Sequence, residues 1–529
     1  MKANKFFLGL ALIGAILTGC NNDQSVTGPT DEVSYMSVNL NYANQGTRAD
    51  YEFGEAPENA IKDVTFFFFD EVYEDYPIVV NNNNSFITVT PTMSEGSGHI
   101  EEISNAMLVI EQSKQTPPSY ILAVVNCPDD LKASLSLAEL QAKIGAYNKN
   151  GEYFIMANSV YVNEATGEAM YATPLTNANF AATPEEAVAE GTPVEVYVER
   201  TAVKVRVNNF AQDGTRVFPT GITTADNKAI YAEVIGWHVT DLNNQAYLLK
   251  NIIPTWTSTD LGLTWNDAPK YRSYWATSVD AISGRHPHSG DVIAAHNDEY
   301  DYYYENTNNE NEGANRSQLV VVAAFKTSDG TTYSDVTIAE WWGVKYTLEG
   351  LKTAIANSLA SEIFIVTTDA DNKTVYTSID ESYIDFEQVV NTSTDEAGLA
   401  EGRYWSNAVL ADKGETGVTF ADASKTTLTV DQVKAIFATV RHAKIWKEKL
   451  GGYYYLDIEH LGTGKAKYGL VRNHLYDYTL TAVNGLGTPI YDGTQIIVPE
   501  DPDGEETYIS AKLNVQAWRV VTHSNVELN

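Results

Sequence analysis

Cysteine is nearly absent: 529 residues hold only Cys20 and Cys127. Two thiols cannot build a disulfide framework, so stability has to come from apolar cores. Basic residues are also scarce, 35 against 70 acidic ones, for a formal charge of −35. A surface of that sign repels nucleic acid and anionic headgroups, which excludes both as partners. Long apolar runs are missing too. The most apolar stretch, from Phe6 to Ile16, is too short to span a bilayer comfortably. No phosphate-cradling glycine loop and no nucleophile elbow occurs, and His286-Pro287-His288, with His296 and Asp298 nearby, lacks the spacing of a rigid zinc site. The chain is therefore read as neither an enzyme nor a holder of metal or cofactor.

What is present is aromatic and strand-forming. Tyrosine occurs 32 times, and runs rich in Tyr, Val and Thr are separated by Asn, Asp and Gly turns. The strand-like runs are Val64–Phe69, Tyr120–Val125, Tyr153–Met156, Val194–Val207, Ala229–Val239, Gln318–Phe325, Glu362–Thr367, Tyr453–Ile458 and Leu475–Val483. Helical signals are few. Ser136 and Glu139 form a capping box, and Leu348, Leu351, Ile355 and Leu359 make one apolar helical face. This composition reads as antiparallel sandwiches with short helices in the loops. A boundary is expected near Asn208–Thr215. Cys127, at the end of an apolar strand, reads as a small buried hydrophobe.

The N-terminus carries a processing signal. Lys2 and Lys5, the apolar run, and then Leu17-Thr18-Gly19-Cys20 resemble a bacterial lipobox, in which the cysteine becomes the acylated first residue. Between Cys20 and Arg48 no Lys or Arg occurs. Met36, Val38, Leu40 and Tyr42 alternate with polar residues, the period of a half-buried strand. The polar loop that follows, Asn44 to Asp50, contains Arg48 followed by Ala49. Such a loop is a favoured site of proteolysis, but on its own it reads first as an ordinary connection after a first strand. At the other end, an acidic stretch from Pro499 to Glu506 acts as a linker. Beyond it Ile509, Leu513, Val515, Trp518, Val520, Val526 and Leu528 form an apolar, strand-patterned tail that wants a partner surface.

Several stretches resemble the fimbrillins of the Bacteroidales, especially the major subunit of the minor (short) fimbrium. They are Gly452–Tyr455 through His460, Tyr468–Tyr476, Gly485-Leu486-Gly487, Val198–Val205, Phe154–Ser159, Tyr303–Thr307, and Trp518 to Leu528. The resemblance implies a mainly β chain of two transthyretin-like antiparallel sandwiches. The division it implies is a lipoprotein signal at 1–20, a propeptide with a removable first strand at 21–48, sandwiches at 49–210 and 211–498, and a linker with donor strand at 499–529. It further implies cleavage between Arg48 and Ala49 by an Arg-specific extracellular protease, and head-to-tail polymerisation of identical subunits by strand exchange. Anchor and tip subunits, and host surface proteins or glycans, are the other implied partners. The expected location is a cell-surface fimbrium, the precursor being an outer-membrane lipoprotein. The alternatives are a tip or anchor subunit, or a glycan-binding surface lipoprotein for which Trp341, Trp342, Tyr300 and Tyr302 to Tyr304 supply aromatic platforms.

Overall fold

The computed structural model describes residues 33–43, 57–75, 84–95, 100–111, 117–162, 169–189, 193–208, 217–252, 276–280, 282, 286–295, 300–307, 316–389, 405–460, 468–497, 508–516 and 521–522. The architecture is mainly β, in several sheets with few short helices.

The first sheet contains β1 (Val33–Ala43), β2 (Val64–Phe69), β3 (Phe86–Val89), β4 (Thr92–Glu95), β5 (Ile100–Glu111), β6 (Tyr120–Val125), β7 (Met156–Asn158) and β8 (Val194–Arg200). Its order is β3-β2-β6-β7-β8-β1-β5-β4. The sheet curls so that its two halves enclose one core. Val64, Phe66 and Phe68 of β2 meet Met36, Val38, Leu108, Ile110, Val194 and Val196 from the other half. The alternate residues Phe67 and Phe69 face a second cluster with Leu137 and Leu140 of helix α1 (Leu137–Gln141). Burial on both faces explains why β2 reads as an unbroken apolar run rather than an alternating one. Helix α1 begins at the capping box expected from the sequence: the Ser136 hydroxyl accepts from the Glu139 N–H, and the Glu139 carboxylate accepts from the Ser136 N–H.

The run Val194–Val207 is not one strand. It breaks at Thr201-Ala202, and β9 (Val203–Asn208) joins a different sheet. The chain thus crosses between sandwiches ahead of the boundary expected near Asn208–Thr215. The second sandwich comprises β9, β10 (Val217–Thr223), β11 (Ala229–Val239), β12 (Tyr300–Tyr303), β13 (Gln318–Ser328) and further strands nearer the C-terminus. One of its sheets has the order β10-β11-β13 followed by Gly452–Asp457. The other runs β12-β9, then Leu475–Asn484, then Tyr508–Gln516. Between them lies a core of Val203, Val205, Val207, Trp237, Val321, Phe325, Tyr476 and Tyr478. Gly451 is indispensable to the close approach of two strands. Its φ is +61°, and a Cβ there would sit 1.8 Å from the Ala323 carbonyl oxygen.

Between β13 and Gly452–Asp457, which pair directly, the chain inserts a unit with its own core. It holds β14 (Ile338–Trp341), β15 (Val344–Thr347), α2 (Leu348–Leu359), β16 (Ile384–Gln388), β17 (Trp405–Leu410), α3 (Val430–Phe437) and β18 (Ala443–Trp446). Its larger sheet has the order β15-β14-β18-β17-β16. Leu351, Ile355 and Leu359 of α2 pack with Val433, Phe437, Leu410 and Ile445. The helical face read from the sequence is thus the spine of a separate core. After the insertion come β19 (Gly452–Asp457), β20 (Leu475–Asn484) and β21 (Tyr508–Gln516).

Candidate functional site: an inner strand, a tail and a locked joint

Strand β1 lies inside its sheet, not at an edge. It runs parallel to β8, with Val38 opposite Val194, Leu40 opposite Val196 and Tyr42 opposite Val198. On the other side it is antiparallel to β5, with Met36 opposite Leu108 and Val38 opposite Ala106. Met36 and Val38 are fully buried, each contributing about 1.5–3 kcal/mol of apolar burial. Losing β1 would leave two facing edges of unpaired backbone groups, about two strand spacings or ~9.6 Å apart. Only another extended strand satisfies both ladders at once, since isolated edges are aggregation hazards.

The second sandwich shows the same arrangement closed for good. Its first strand, β9, is parallel to β20 and antiparallel to β12. In both sandwiches, then, a first strand is seated between a parallel and an antiparallel neighbour. The difference lies in the connections. β9 is continuous with β8 across two residues, whereas β1 is joined to the rest of the chain through residues 44–56, the stretch that carries Arg48 and Ala49. Cys20, Arg48 and Ala49 lie outside the described residues.

The tail divides into two parts. Ile509, Leu513 and Val515 belong to β21, which pairs antiparallel with β20 of its own sandwich and stands opposite Val483, Tyr478 and Tyr476 respectively. The short strand Val521–Thr522 pairs back onto β21. Trp518, Val520, Val526 and Leu528 lie outside the described residues.

A third feature was not read from the sequence: three buried ion pairs gather where the two sandwiches meet, two of them crossing between them. Lys204 on β9 meets Glu58, ahead of β2, at 2.6 Å. Lys250, after β11, meets Glu199 on β8 at 2.9 Å. Arg472 meets Glu305 at 3.1 Å. All six side chains are only 1–2% exposed. Neighbouring groups complete the lock. The Tyr302 hydroxyl donates to Glu58, and the Arg200 backbone N–H donates to the Asn473 side-chain oxygen at 3.3 Å. Arg472 also donates to the Tyr247 and Leu248 carbonyls. Leu248 and Leu249 then pack into the cluster of Phe67, Phe69 and Leu122. Burial pulls the Lys250 ammonium down from its ordinary range, against the opposing pull of Glu199 and Glu305. Burial, reinforced by the bond to Glu58, pushes the Tyr302 phenol up.

This joint absorbs residues that otherwise tempt a catalytic reading. His460 accepts from or donates to the Tyr476 hydroxyl through Nδ1 at 2.8 Å, and its ring meets that of His474 edge-on at 4.8 Å. Both histidines are buried, as is Asn473. Tyr300 and Tyr302 are not surface platforms: Lys204 sits 3.7 Å from the Tyr300 ring centroid, and Phe154 meets Tyr302 edge-on at 4.6 Å. Tyr303 is buried in the core. Cys127 is fully buried, and burial pushes its thiol up to about 12, so it is an inert core thiol. Among the described residues, no cluster of three His, Cys, Asp or Glu side chains is placed to hold a metal ion.

The geometry defines a multi-sandwich β protein with one inner strand near the start of the chain and a strand near its end returning to the last sheet. Residues 451–524, which span β19, β20, β21 and Arg472, match the family model described as major fimbrial subunit protein type IV, fimbrillin, C-terminal. Over those residues the chain is similar to the C-terminal segment of the fimbrillins, the family whose motifs the stretch from Gly452 to Tyr476 resembles. No curated protein matches the chain. A crystal structure of a candidate adhesin from Bacteroides ovatus is 12% identical, with 73% of this chain and 95% of that one covered at a TM-score of 0.23. A likeness that slight carries no argument about fold or function.

Proposed function

We propose that this protein is a structural stalk subunit of a cell-surface fimbrium, polymerising by strand exchange. The observation that carries the reading is the inner position of β1, buried between β5 and β8 on a segment joined through the Arg48 loop. In the precursor, acylated at Cys20 and held at the outer membrane, β1 completes the sheet and keeps the subunit monomeric. Cleavage between Arg48 and Ala49 by an Arg-specific extracellular protease releases β1 together with the lipid anchor. The tail of a neighbouring copy then enters the slot, a form of strand addition. Because the contact is head-to-tail and does not close, it generates a filament.

In this reading β21 is the root of the tail and the stretch beyond it is the part donated. Ile509, Leu513 and Val515 already occupy a ladder on β20, so β21 roots the tail on its own subunit. The stretch from Trp518 to Leu528, with Trp518, Val520, Val526 and Leu528, spans eleven positions, as many as β1 has. That is the length the slot takes. Its Val521–Thr522 pairs back onto β21 and has to leave that contact for the stretch to be donated. Anchor and tip subunits would cap the two ends of the filament, and host surface proteins or glycans are the targets of adhesion.

Removing Trp518–Asn529 while keeping β21 tests the division. The expected product is a folded, processed subunit that does not extend filaments and yields no detergent-resistant ladder on a gel. Normal fibres from that truncation would overturn donation by this stretch.

A further inference from the structure

The β14–β15 hairpin closes on an unexpected residue. Trp341 and Val344 are its last register pair, so the loop is Trp342-Gly343, and both have positive φ, +55° and +74°. These are the dihedrals of a type I′ turn, which Asn, Asp and Gly adopt easily and a bulky side chain adopts at a cost. Burial does not compensate: Trp342 is 63% exposed. A strained residue that its own fold does not need points to a use elsewhere.

The surroundings are organised. The Arg441 guanidinium lies 4.4 Å from the Trp342 ring centroid, and the Trp341 indole N–H donates to the Arg441 carbonyl at 3.1 Å. Two strands away from β14, Trp405 stands opposite Lys444 of β18. Lys444 Nζ lies 5.3 Å from the Trp405 ring centroid, and the His442 ring lies 6.2 Å from it. His442 Nδ1 is hydrogen-bonded to the Asn407 side-chain oxygen. Four of the chain's nine tryptophans thus belong to this sheet and its turn; Trp446 is buried, and Trp341, Trp342 and Trp405 lie beside exposed donors and acceptors.

We propose that this end of the inserted unit binds a saccharide, with the Trp342 indole as the plate on which a pyranose ring lies. A pyranose offers an apolar face of C–H groups and a rim of hydroxyls. It therefore calls for a held aromatic plate beside mixed donors and acceptors. A purely apolar ligand would take the exposed Arg441 guanidinium out of water with no acceptor to offer it, which is costly. A small anion would have no use for the indole. The site shares no residue with β1, the tail or the ion-pair joint, so it stands or falls apart from strand exchange.

The test is binding of the full chain to an immobilised panel of neutral, sialylated and sulfated oligosaccharides. Binding to at least one class is expected, with at least a tenfold loss for Trp342→Asn. Asparagine suits the left-handed turn, so the thermal midpoint of that variant should hold or rise. Arg441→Gln, at an exposed position, is expected to lose at least tenfold as well and covers the case of a misfolded turn variant. A parent chain that binds no saccharide, or well-folded variants that lose less than tenfold, would overturn the proposal.

Discussion

Arg48→Ala is expected to abolish fimbrial polymerisation while leaving a folded, lipid-tethered monomer. The reason is competition for one slot. In the uncut chain β1 is covalently attached beside β5 and β8, with Met36 and Val38 buried. An attached strand competes at an effective concentration in the millimolar range or above. A neighbour's tail arrives at the much lower concentration of free subunits, and it has to displace two complete ladders before it forms its own. Strand β1 contains no Lys or Arg, nor does any position between Cys20 and Arg48, so an Arg-specific protease has no alternative site ahead of the loop. Cell fractionation and non-reducing gels measure the outcome: the variant should remain with the detergent-soluble membrane fraction as a single band. Variant fimbriae of normal length, with residues 1–48 retained, would show that cleavage does not gate assembly.

The second large effect falls on the joint. Lys204→Met is expected to destabilise the protein by about 3–5 kcal/mol, because it strands the Glu58 carboxylate in a site only 1% exposed. The thermal midpoint should fall on the order of 10 °C. The double variant Glu58→Gln with Lys204→Met removes the uncompensated charge and should recover much of the loss, since the two residues act as one unit. Calorimetry on both variants distinguishes a buried pair from ordinary packing. A single-variant loss below about 1 kcal/mol, or additive losses in the double, would mean that the pair does not lock the sandwiches. The lock matters for a stalk. In the stalk proposed, tension along the filament would pass through every subunit from the β8–β9 crossing to β20, where Glu199–Lys250, Glu305–Arg472 and Glu58–Lys204 are buried.

The strands were legible where their periodicity was local. Val64–Phe69, Tyr120–Val125 and Ala229–Val239 fall where their apolar patterns placed them, and the Ser136 capping box formed as read. The run Val194–Val207 misled because its apolar alternation continues past Thr201-Ala202, and side-chain period alone does not register a change of sheet. The inserted unit was not legible as a unit. Its limits are set by the pairing of β13 with β19, strands more than a hundred residues apart, which no window on the sequence contains. The joint was half legible. Val198–Val205, Tyr303–Thr307 and Arg472–His474 were noticed as family motifs, and they prove to be the segments that carry Glu199, Lys204, Glu305 and Arg472. Charged residues set in otherwise apolar strands were the available signal. Their partners, Glu58 in particular, were not predictable, because the pairing spans 146 positions.

The most direct measurement is the mass and N-terminal sequence of subunits dissociated from fimbriae sheared off intact cells. Strand exchange predicts chains that begin at Ala49 and lack the peptide Val33–Ala43, within a ladder that resists mild detergent. Assembled subunits that begin at acylated Cys20 and still contain Val33–Ala43 would contradict it, because the slot between β5 and β8 would then be filled by its own strand.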